Sequence, residues 1–449
     1  MSNREIVLTA LAWSAVALVA CDSQGTVAAP ADAAADHSVV AEAGPDATEE
    51  AAAPDAAPDA AAEAGEASAA PPARLLLSYN GGSQSEVVAF GLQSHAVDGR
   101  LTFDDWLGGA YVGTTAPWVL EESTDIVGKL DGEQPWVIDS SWNVAMNDLT
   151  DAGYAQPYSD PDAVIVGAGP KAYVFRYTRN LVAVLDTSKI VDGGQPSGSI
   201  DLSGEVQSAG DGYVQPVAAV YVAATQRVYA VLGNIDRNDV VNDGYNLLCT
   251  SSTPTVIAID TTTDTLVDLN GTAPGNGWPL VGYNPILGPG ALAFDPLTGP
   301  SGRLLVLDAG CNLTDSDGGA GALAKREVES IDLSTGQATQ LLDLTAAAYP
   351  SSLTYIDAHH AIVQLDTAYA WDPATTTLGA AIPNAPDAFA YDGQGHLLGV
   401  TTQYGTDGGL SGYAVLSVSV ADGGVTQLGA NPFVLTNGYV GGAALWPSP

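Results

Sequence analysis

From residue 74 onward, the chain alternates short apolar runs with polar segments that favour turns. The runs are four to seven residues long and rich in Val, Tyr, Leu and Ala, and each is followed by Gly, Asp, Asn, Pro or Thr. Apolar runs of this length between turn-forming residues are typical of β-strands joined by hairpins. The pattern therefore predicts an all-β domain over 74–449.

The runs group into a unit of four strands that recurs along the domain. In the clearest copy the strands are VAAVYVA, RVYAVL, TVIAID and TLVDL, which begin at Val217, Arg227, Thr255 and Thr265. Five further complete units occupy 109–142, 163–202, 290–343, 352–382 and 387–428. Four-stranded repeats of roughly this length are typical of the blades of a β-propeller.

The two ends of the domain supply a seventh unit. Three strands near its start, RLLLSY, EVVAF and RLTF, lack a first strand, and the run VGGAALW at 440–446 has no strand after it. Pairing these ends closes the repeats into a ring and leaves no exposed inner edge. We therefore predict a seven-bladed β-propeller of four-stranded blades, closed by pairing of its N- and C-terminal strands.

The repeats resemble the YVTN-type β-propeller repeat, in which a Tyr-Val strand, a turn and a Val-x-Val-Ile-Asp strand recur. The segments KAYVFRYTRNLVAVLD and RVYAVL, with the later TVIAIDTTTDTLVDL, carry this resemblance, which extends over most of 74–449. It implies the propeller fold. Since such propellers serve as binding surfaces, scaffolds and occasionally enzymes, it does not specify a function.

The first 20 residues have the features of a signal peptide. Arg4 precedes an uncharged apolar run over 6–20, which is shorter than the roughly 20 residues that a membrane helix needs. The run ends in Leu-Val-Ala-Cys, which resembles the lipobox of bacterial lipoproteins. This implies cleavage before Cys21, acylation of that cysteine, and a lipid-anchored protein of the bacterial cell envelope, on the periplasmic or cell-surface side. The alternative is an ordinary secretory signal, and the choice of membrane stays open.

Between the signal peptide and the propeller, 21–73 have a different composition. Ala, Pro, Asp and Glu dominate, and Lys, Arg and aromatic residues do not occur. The recurring Pro residues interrupt every Ala-rich run that could form a helix. Because such a segment cannot bury enough apolar surface to fold, we predict a disordered tether.

Composition and charge narrow the possible functions. The 50 Gly, 27 Pro and 14% charged residues point away from a helical bundle, and the formal net charge of -39 would repel a phosphate backbone. Nucleic acid is therefore excluded as a partner.

Aspartates that close the third strand of successive units could be mistaken for catalytic groups, but we interpret them as turn residues: Asp131, Asp186, Asp260, Asp332 and Asp372.

Long loops, among them 309–326 and 402–412, are predicted at one end of the ring, where loops between second and third strands emerge together with the connections between blades. We call this end the elaborated face. Long loops on a rigid frame commonly carry binding residues. Its aromatic residues either form a ligand-binding surface or pack the loops down: Tyr154, Tyr158, Tyr245, Trp278, Tyr283, Tyr404, Phe433 and Tyr439.

Two functions are compatible with this arrangement. We favour a monomeric, membrane-tethered module that binds a polysaccharide or a protein. The alternative is a lactonase- or lyase-like propeller enzyme with a metal in its channel, which would need His, Glu and Asn around that channel. We find no histidine to place there, and neither a Gly-x-Ser-x-Gly nor a His-Glu-x-x-His motif occurs.

Cys249 and Cys311 are the two cysteines that remain if Cys21 is lipidated. They lie in second-to-third-strand loops of adjacent units, and thiols oxidise in an exported protein. A disulfide between them is therefore predicted, with two unrelated buried thiols as the alternative.

The same two loops contain Asp and Asn beside Gly, in NIDRNDVVNDG and CNLTDSDGG. Hard oxygen ligands suit calcium, which would relieve the repulsion between two acidic loops. The alternative is that these are solvated turn residues, since neither segment has EF-hand spacing. The candidate calcium ligands are Asp236, Asn238, Asp239, Asn242, Asp243, Asp315 and Asp317.

Overall fold

A computed structural model describes residues 73–447, except for 82–83, 113–115, 146–158, 168, 239–246, 272–275, 300, 315–319, 407–409 and 431–437. Cys21, the predicted signal peptide and nearly all of the predicted tether lie outside the described residues. Among the described residues, no helix is long and apolar enough to span a membrane. In this part of the chain, the regular structure is antiparallel β, apart from two single-turn 3-10 helices at Ser203–Glu205 and Pro289–Ala291.

Seven separate sheets form the seven blades, which confirms the predicted fold. The first blade contains, in sheet order, β28 (Gly438–Trp446), β1 (Arg74–Gly81), β2 (Gln84–Gly91) and β3 (Ala96–Phe103). The second contains β4 (Leu107–Val112), β5 (Pro117–Glu121), β6 (Ile126–Leu130) and β7 (Ile138–Asn143). The third contains β8 (Pro161–Val166), β9 (Lys171–Arg176), β10 (Leu181–Asp186) and β11 (Gly198–Asp201).

The remaining blades follow in chain order. The fourth contains β12 (Pro216–Val222), β13 (Arg227–Leu232), β14 (Thr255–Asp260), β15 (Thr265–Leu266) and β16 (Trp278–Pro279). The fifth contains β17 (Leu292–Asp295), β18 (Arg303–Thr314), β19 (Ala320–Asp332) and β20 (Ala338–Asp343). The sixth contains β21 (Ser352–Asp357), β22 (His360–Gln364) and β23 (Ala368–Trp371). The seventh contains β24 (Ala388–Tyr391), β25 (His396–Tyr404), β26 (Leu410–Ser419) and β27 (Val425–Ala430).

Two blades depart from the regular outer strand that we predicted. In the fourth blade, β15 and β16 both pair with β14, so the outer strand is divided into two short pieces. In the sixth blade, the run predicted as a fourth strand forms a single bridge, between Tyr369 and Ala381, instead of a ladder. Its backbone still bonds to β23, since the amide of Ile382 donates to the carbonyl of Ala368 at 2.8 Å.

The ring closes as predicted, because β28 from the C-terminal end pairs with β1 from the N-terminal end. Their antiparallel register runs from Arg74 opposite Trp446 to Gly81 opposite Gly438. The first strands of neighbouring blades also lie against each other, with β28 in contact with both β4 and β24. Each blade therefore packs between two others, which explains why whole strands, rather than alternate residues, are buried. Leu75, Leu76 and Leu77 all have no exposed surface.

Two of the predicted long loops are largely extensions of β-hairpins. β18 and β19 stay paired beyond the blade, with Cys311 opposite Ala324, and β25 and β26 do the same up to Tyr404 opposite Leu410. The predictions of loops at 309–326 and 402–412 are corrected accordingly. Ladder pairing satisfies the backbone polar groups, which an irregular loop would have to satisfy in other ways.

The aspartates at the ends of third strands are turn residues, as interpreted from the sequence. Each accepts a hydrogen bond from the amide two residues later, over 2.7–3.1 Å: Asp131, Asp186, Asp260, Asp332 and Asp372. Hydrogen bonds from the neighbouring Ser or Thr lower the pKa of three of these carboxyls, at Asp186, Asp260 and Asp332. They lie on the face opposite the elaborated one.

Candidate functional site

The most exposed aromatic side chains of the described residues all lie on the elaborated face. They are Tyr349, Tyr404 and Tyr439, which are 59%, 64% and 46% exposed. Tyr349 lies between β20 and β21, Tyr404 ends β25, and Tyr439 begins β28. Two of them, Tyr404 and Tyr439, are predicted ligand-binding residues.

Two other predicted binding residues, Trp278 and Tyr283, are buried and pack their own loops. The Trp278 indole donates to the carbonyl of Leu269 at 2.9 Å and stacks on Tyr229. The Tyr283 hydroxyl lies 2.8 Å from that of Thr250. These residues fit the alternative that the aromatic side chains hold the loops down. The remaining predicted binding residues lie outside the described part of the chain: Tyr154, Tyr158, Tyr245 and Phe433.

Around Tyr439, the first three blades bring together aromatic and acidic side chains. We call this group the Glu122 site and define it as Trp106, Tyr111, Glu122, Asp160, Asp162 and Tyr439. The rings of Trp106 and Tyr439 lie 5.5 Å apart. Glu122 lies in the turn between β5 and β6, over Gly108 of β4, where an added Cβ would be 3.1 Å from its Oε1. The Tyr111 hydroxyl donates to the backbone carbonyl of Asp162.

Two further aspartates position the acidic segments of this site. The carboxylate of Asp105 accepts the backbone amides of Ser123 and Thr124 at 3.0 and 2.9 Å, which fixes the turn that carries Glu122. The carboxylate of Asp125 accepts the amide of Ser159 at 2.6 Å and so holds the chain just before Asp160. The carboxylates of Asp105 and Asp125 bind backbone donors. These two residues therefore hold the site in place, whereas the carboxyls of Glu122, Asp160 and Asp162 form it.

Burial and mutual repulsion raise the pKa values of the carboxyls of the Glu122 site. Burial first, and then Asp160 and Asp105, raise the pKa of Glu122 to about 8. Burial and Asp125 raise the pKa of Asp160 to about 6, while Arg237 opposes the shift. Asp162 is buried, and its pKa is raised well above the usual value, by burial and then by Asp160 and Glu122. Near neutral pH, Glu122 therefore carries a proton while most Asp160 is ionised.

None of Glu122, Asp160 and Asp162 forms an ion pair with another described residue. The nearby guanidinium of Arg237 is engaged elsewhere. Its Nε bonds to Asp211 at 2.5 Å, and it lies over the rings of Tyr177 and Tyr213, at 5.4 and 5.2 Å. Among the described residues, the site thus presents carboxyls and aromatic rings with no cationic side chain ion-paired to Glu122, Asp160 or Asp162.

The predicted disulfide between Cys249 and Cys311 is present, with their Cα atoms 5.0 Å apart. It joins the fourth blade to the extended hairpin of the fifth. Ile235, Leu247 and Tyr283 pack around it in a small apolar cluster. The amide of Cys249 also donates to the carbonyl of Asn312 at 3.0 Å, so backbone bonds accompany the covalent link.

Five of the seven predicted calcium ligands lie in segments that the structure does not describe. Asp239, Asn242, Asp243, Asp315 and Asp317 lie outside the described residues. Of the other two, Asp236 accepts the amide of Asn238 at 2.9 Å, a turn contact. In the described ranges, no group of three or more His, Cys, Asp or Glu side chains is arranged to hold a metal ion.

Five residues of the Glu122 site were not predicted from the sequence: Trp106, Tyr111, Glu122, Asp160 and Asp162. The binding residues were predicted on long loops, whereas Glu122 lies in a short turn and Trp106 in a short connection between blades. The adjacent pair Glu121-Glu122 at the end of an apolar run is a signal that could have identified Glu122.

No protein-family model matches this sequence, and no curated protein matches it either. Solved structures with similar folds include the dihydro-heme d1 dehydrogenase NirN, at 10% identity and a TM-score of 0.45 over 83% of this chain and 74% of that one. A protein of unknown function from Desulfotomaculum acetoxidans DSM 771 is 9% identical, with a TM-score of 0.49 over 82% and 98%. A streptogramin B lyase is 12% identical, with a TM-score of 0.36 over 79% and 93%.

Proposed function

We propose that this protein is a bacterial lipoprotein, anchored through Cys21, whose propeller binds a polysaccharide on its elaborated face. The observation that carries the binding proposal is that Tyr349, Tyr404 and Tyr439 are all exposed on that one face. Aromatic rings are apolar surfaces that stack on the C–H faces of sugar rings and tolerate exposure when no sugar is bound.

The Glu122 site adds hydrogen-bonding groups beside one of these rings. A protonated carboxyl both donates and accepts hydrogen bonds, and an ionised one accepts up to four. Glu122 and Asp160 supply one of each near neutral pH. Sugar hydroxyls, which also donate and accept, are matched by this combination. The carboxylates and the net charge of -39 disfavour a strongly anionic polysaccharide.

Replacing Tyr439 with Ala should weaken binding to the polysaccharide at least tenfold, because it removes the exposed ring that packs against Trp106. Affinity electrophoresis against soluble polysaccharides from a bacterial envelope would measure the change. The matched control is Ile190→Ala, which removes an 81% exposed apolar side chain on the opposite face. The control should bind as the unchanged protein does.

Equal binding by the Tyr439→Ala and Ile190→Ala variants would contradict the proposed site. Capture of an envelope protein, with no retardation by any polysaccharide, would favour a protein ligand. Shortening of the polysaccharide during the measurement, lost in Glu122→Gln, would support a lyase- or hydrolase-like enzyme. The observation that favours this second candidate is a proton-bearing Glu122 beside an ionisable Asp160.

The proposed anchor makes a separate prediction for the full-length chain produced in a Gram-negative host. Cys21→Ser should move the protein from the membrane fraction to the soluble fraction, because a serine cannot form the thioether that carries the lipid. Fractionation with radiolabelled palmitate would show both the label and its loss. Membrane retention of the unlabelled variant would contradict lipid anchoring at this residue.

A further inference from the structure

Three acidic side chains lie on one face of the β18–β19 hairpin, outside the Glu122 site. Asp308 is opposite Glu327 in the ladder, and Val306 is opposite Glu329. Because alternate residues of a strand point to the same side, Asp308, Glu327 and Glu329 share a face. All three are buried, with 0%, 3% and 0% of their surface exposed.

The chain that joins the fourth blade to the fifth, 280–286, covers this acidic face. The Glu329 carboxylate accepts the backbone amides of Val281 and Gly282 at 2.8 and 3.3 Å. The carboxyl of Asp308 lies directly against Gly282, where an added Cβ would collide with it. Further along, the amide of Ala309 donates to the carbonyl of Asn284 at 2.9 Å. The connection therefore seals the acidic group from solvent.

Three oxygens of the acidic group lack a hydrogen-bond donor in the described structure. Neither oxygen of Asp308 accepts a hydrogen bond from a donor group, and Oε1 of Glu327 has no partner either. The amides of Val281 and Gly282 serve Glu329 alone. A buried carboxylate without a partner is costly, and a proton removes the cost by neutralising it.

The charged groups of the described residues that act on Asp308 come from β19. Glu329 and Glu327 repel its negative charge, whereas Lys325 attracts it but lies with its Nζ over the ring of Tyr283, 5.5 Å away. The covering connection contributes backbone amides and no charged side chain. On the far side, Asp343 of β20 repels Glu327, and Gln340 donates to Glu327 at 2.7 Å. The surroundings thus favour the neutral form of Asp308.

We propose that Asp308 is protonated at neutral pH and donates its O–H to Glu329, and that this shared proton holds the connection 280–286 against the fifth blade. Glu329 is the ionised partner, because two backbone amides already donate to it. Loss of the proton places two negative charges side by side under the connection. The pair is therefore a pH-sensitive element that loosens this part of the elaborated face in alkaline solution.

The sign of the pH dependence follows from the direction of the shift. Burial, followed by Glu329 and Glu327, raises the pKa of Asp308 well above its usual value, and burial and Glu329 raise the pKa of Glu327 to about 7. The folded protein therefore holds protons that the unfolded chain has released above about pH 4. The stability that these protons contribute is fully present below that pH and is lost as the pH rises. Each extra bound proton raises the unfolding equilibrium constant tenfold per pH unit.

Asp308→Asn provides the direct test, because the amide N–H can donate to Glu329 but does not titrate. Chemical unfolding of the full-length protein would give the unfolding equilibrium constant between pH 5 and pH 9. This constant should rise less steeply with pH in the variant than in the unchanged protein, by a factor of about ten per pH unit. Hydrogen exchange at Val281 and Gly282, corrected for base catalysis, should accelerate with pH only when Asp308 is present. The matched control, Asp332→Asn, changes an exposed turn residue and should keep the original slope.

An identical pH slope in the unchanged protein and Asp308→Asn would overturn the proposal. So would a rise in melting temperature at pH 9 on addition of calcium chloride, because a cation would then neutralise the acidic group. If Asp308→Asn does not fold, Glu327→Gln tests the same group, and it should flatten the slope between about pH 4 and pH 7. Because Glu327→Gln leaves the Asp308–Glu329 pair intact, the unchanged protein supplies the second test. Corrected exchange at Val281 and Gly282 that does not accelerate between pH 5 and pH 9 would count against the shared proton.

Discussion

Deletion of 440–449 should abolish cooperative folding of the propeller. The deletion removes most of β28, the strand that closes the ring against β1. It also removes buried Leu445 and Trp446, and loss of a large core side chain typically costs about 3–5 kcal/mol. Since a folded domain is stable by only about 5–15 kcal/mol, these losses and the lost ladder together exceed what the domain can tolerate.

Because of the position of β28, its deletion should destabilise the propeller more than deletion of an ordinary edge strand would. It contacts the first strands of both neighbouring blades, β4 and β24, and the Trp446 indole donates to the carbonyl of Gly132 at 2.6 Å. Without it, β1 presents an unpaired apolar edge, which favours aggregation. Calorimetry and size-exclusion chromatography would measure the loss of the transition and of the monomer.

Deletion of 1–73 is the matched control, because β1 begins at Arg74. That variant should keep the melting temperature of the full-length chain. An unchanged unfolding transition after removal of 440–449 would show that closure by β28 is not needed for stability. Loss of the transition in the control would instead show that the N-terminal segment contributes to the fold.

Loss of the disulfide should lower the free energy of unfolding by about 4 kcal/mol, the chain-entropy value for a closed loop of 62 residues. For a domain of this length, this corresponds to a fall in melting temperature of about 5 °C. The double variant Cys249→Ser/Cys311→Ser, followed by scanning calorimetry, would measure it. Reductant should lower the melting temperature of the unchanged protein to the same value.

The double variant is also its own control, since reductant should leave its melting temperature unchanged. The backbone bond from Cys249 to Asn312 remains available, so the blades themselves should still fold. Free thiol that can be titrated in the unfolded, unreduced domain 74–449 would contradict the presence of the bond in the protein as produced.

The amino-acid sequence alone was enough to predict the blades and their closure. Short apolar runs mark strands because a strand between two packed sheets is buried on both faces, as in the run from Leu75 to Leu77. The turn aspartates were also predictable, because Asp186 or Asp332 bonds only to backbone two residues away. The pairing of Cys249 with Cys311 followed from the positions of their loops on adjacent blades. Such features depend on local chemistry and on the order of the repeats.

Only the tertiary structure decided which residues meet and which are covered. Tyr439 lies far from Trp106 and Glu122 in the sequence, and it meets them because β28 closes the ring beside β4. Tyr283 and Tyr404 looked equivalent from the sequence, yet one is buried under the disulfide and the other is exposed. Likewise, acidic residues such as Asp308 and Glu329 are expected to face solvent from a strand, but the connection 280–286 covers them. Burial of such residues depends on distant segments packing over them, which no local pattern encodes.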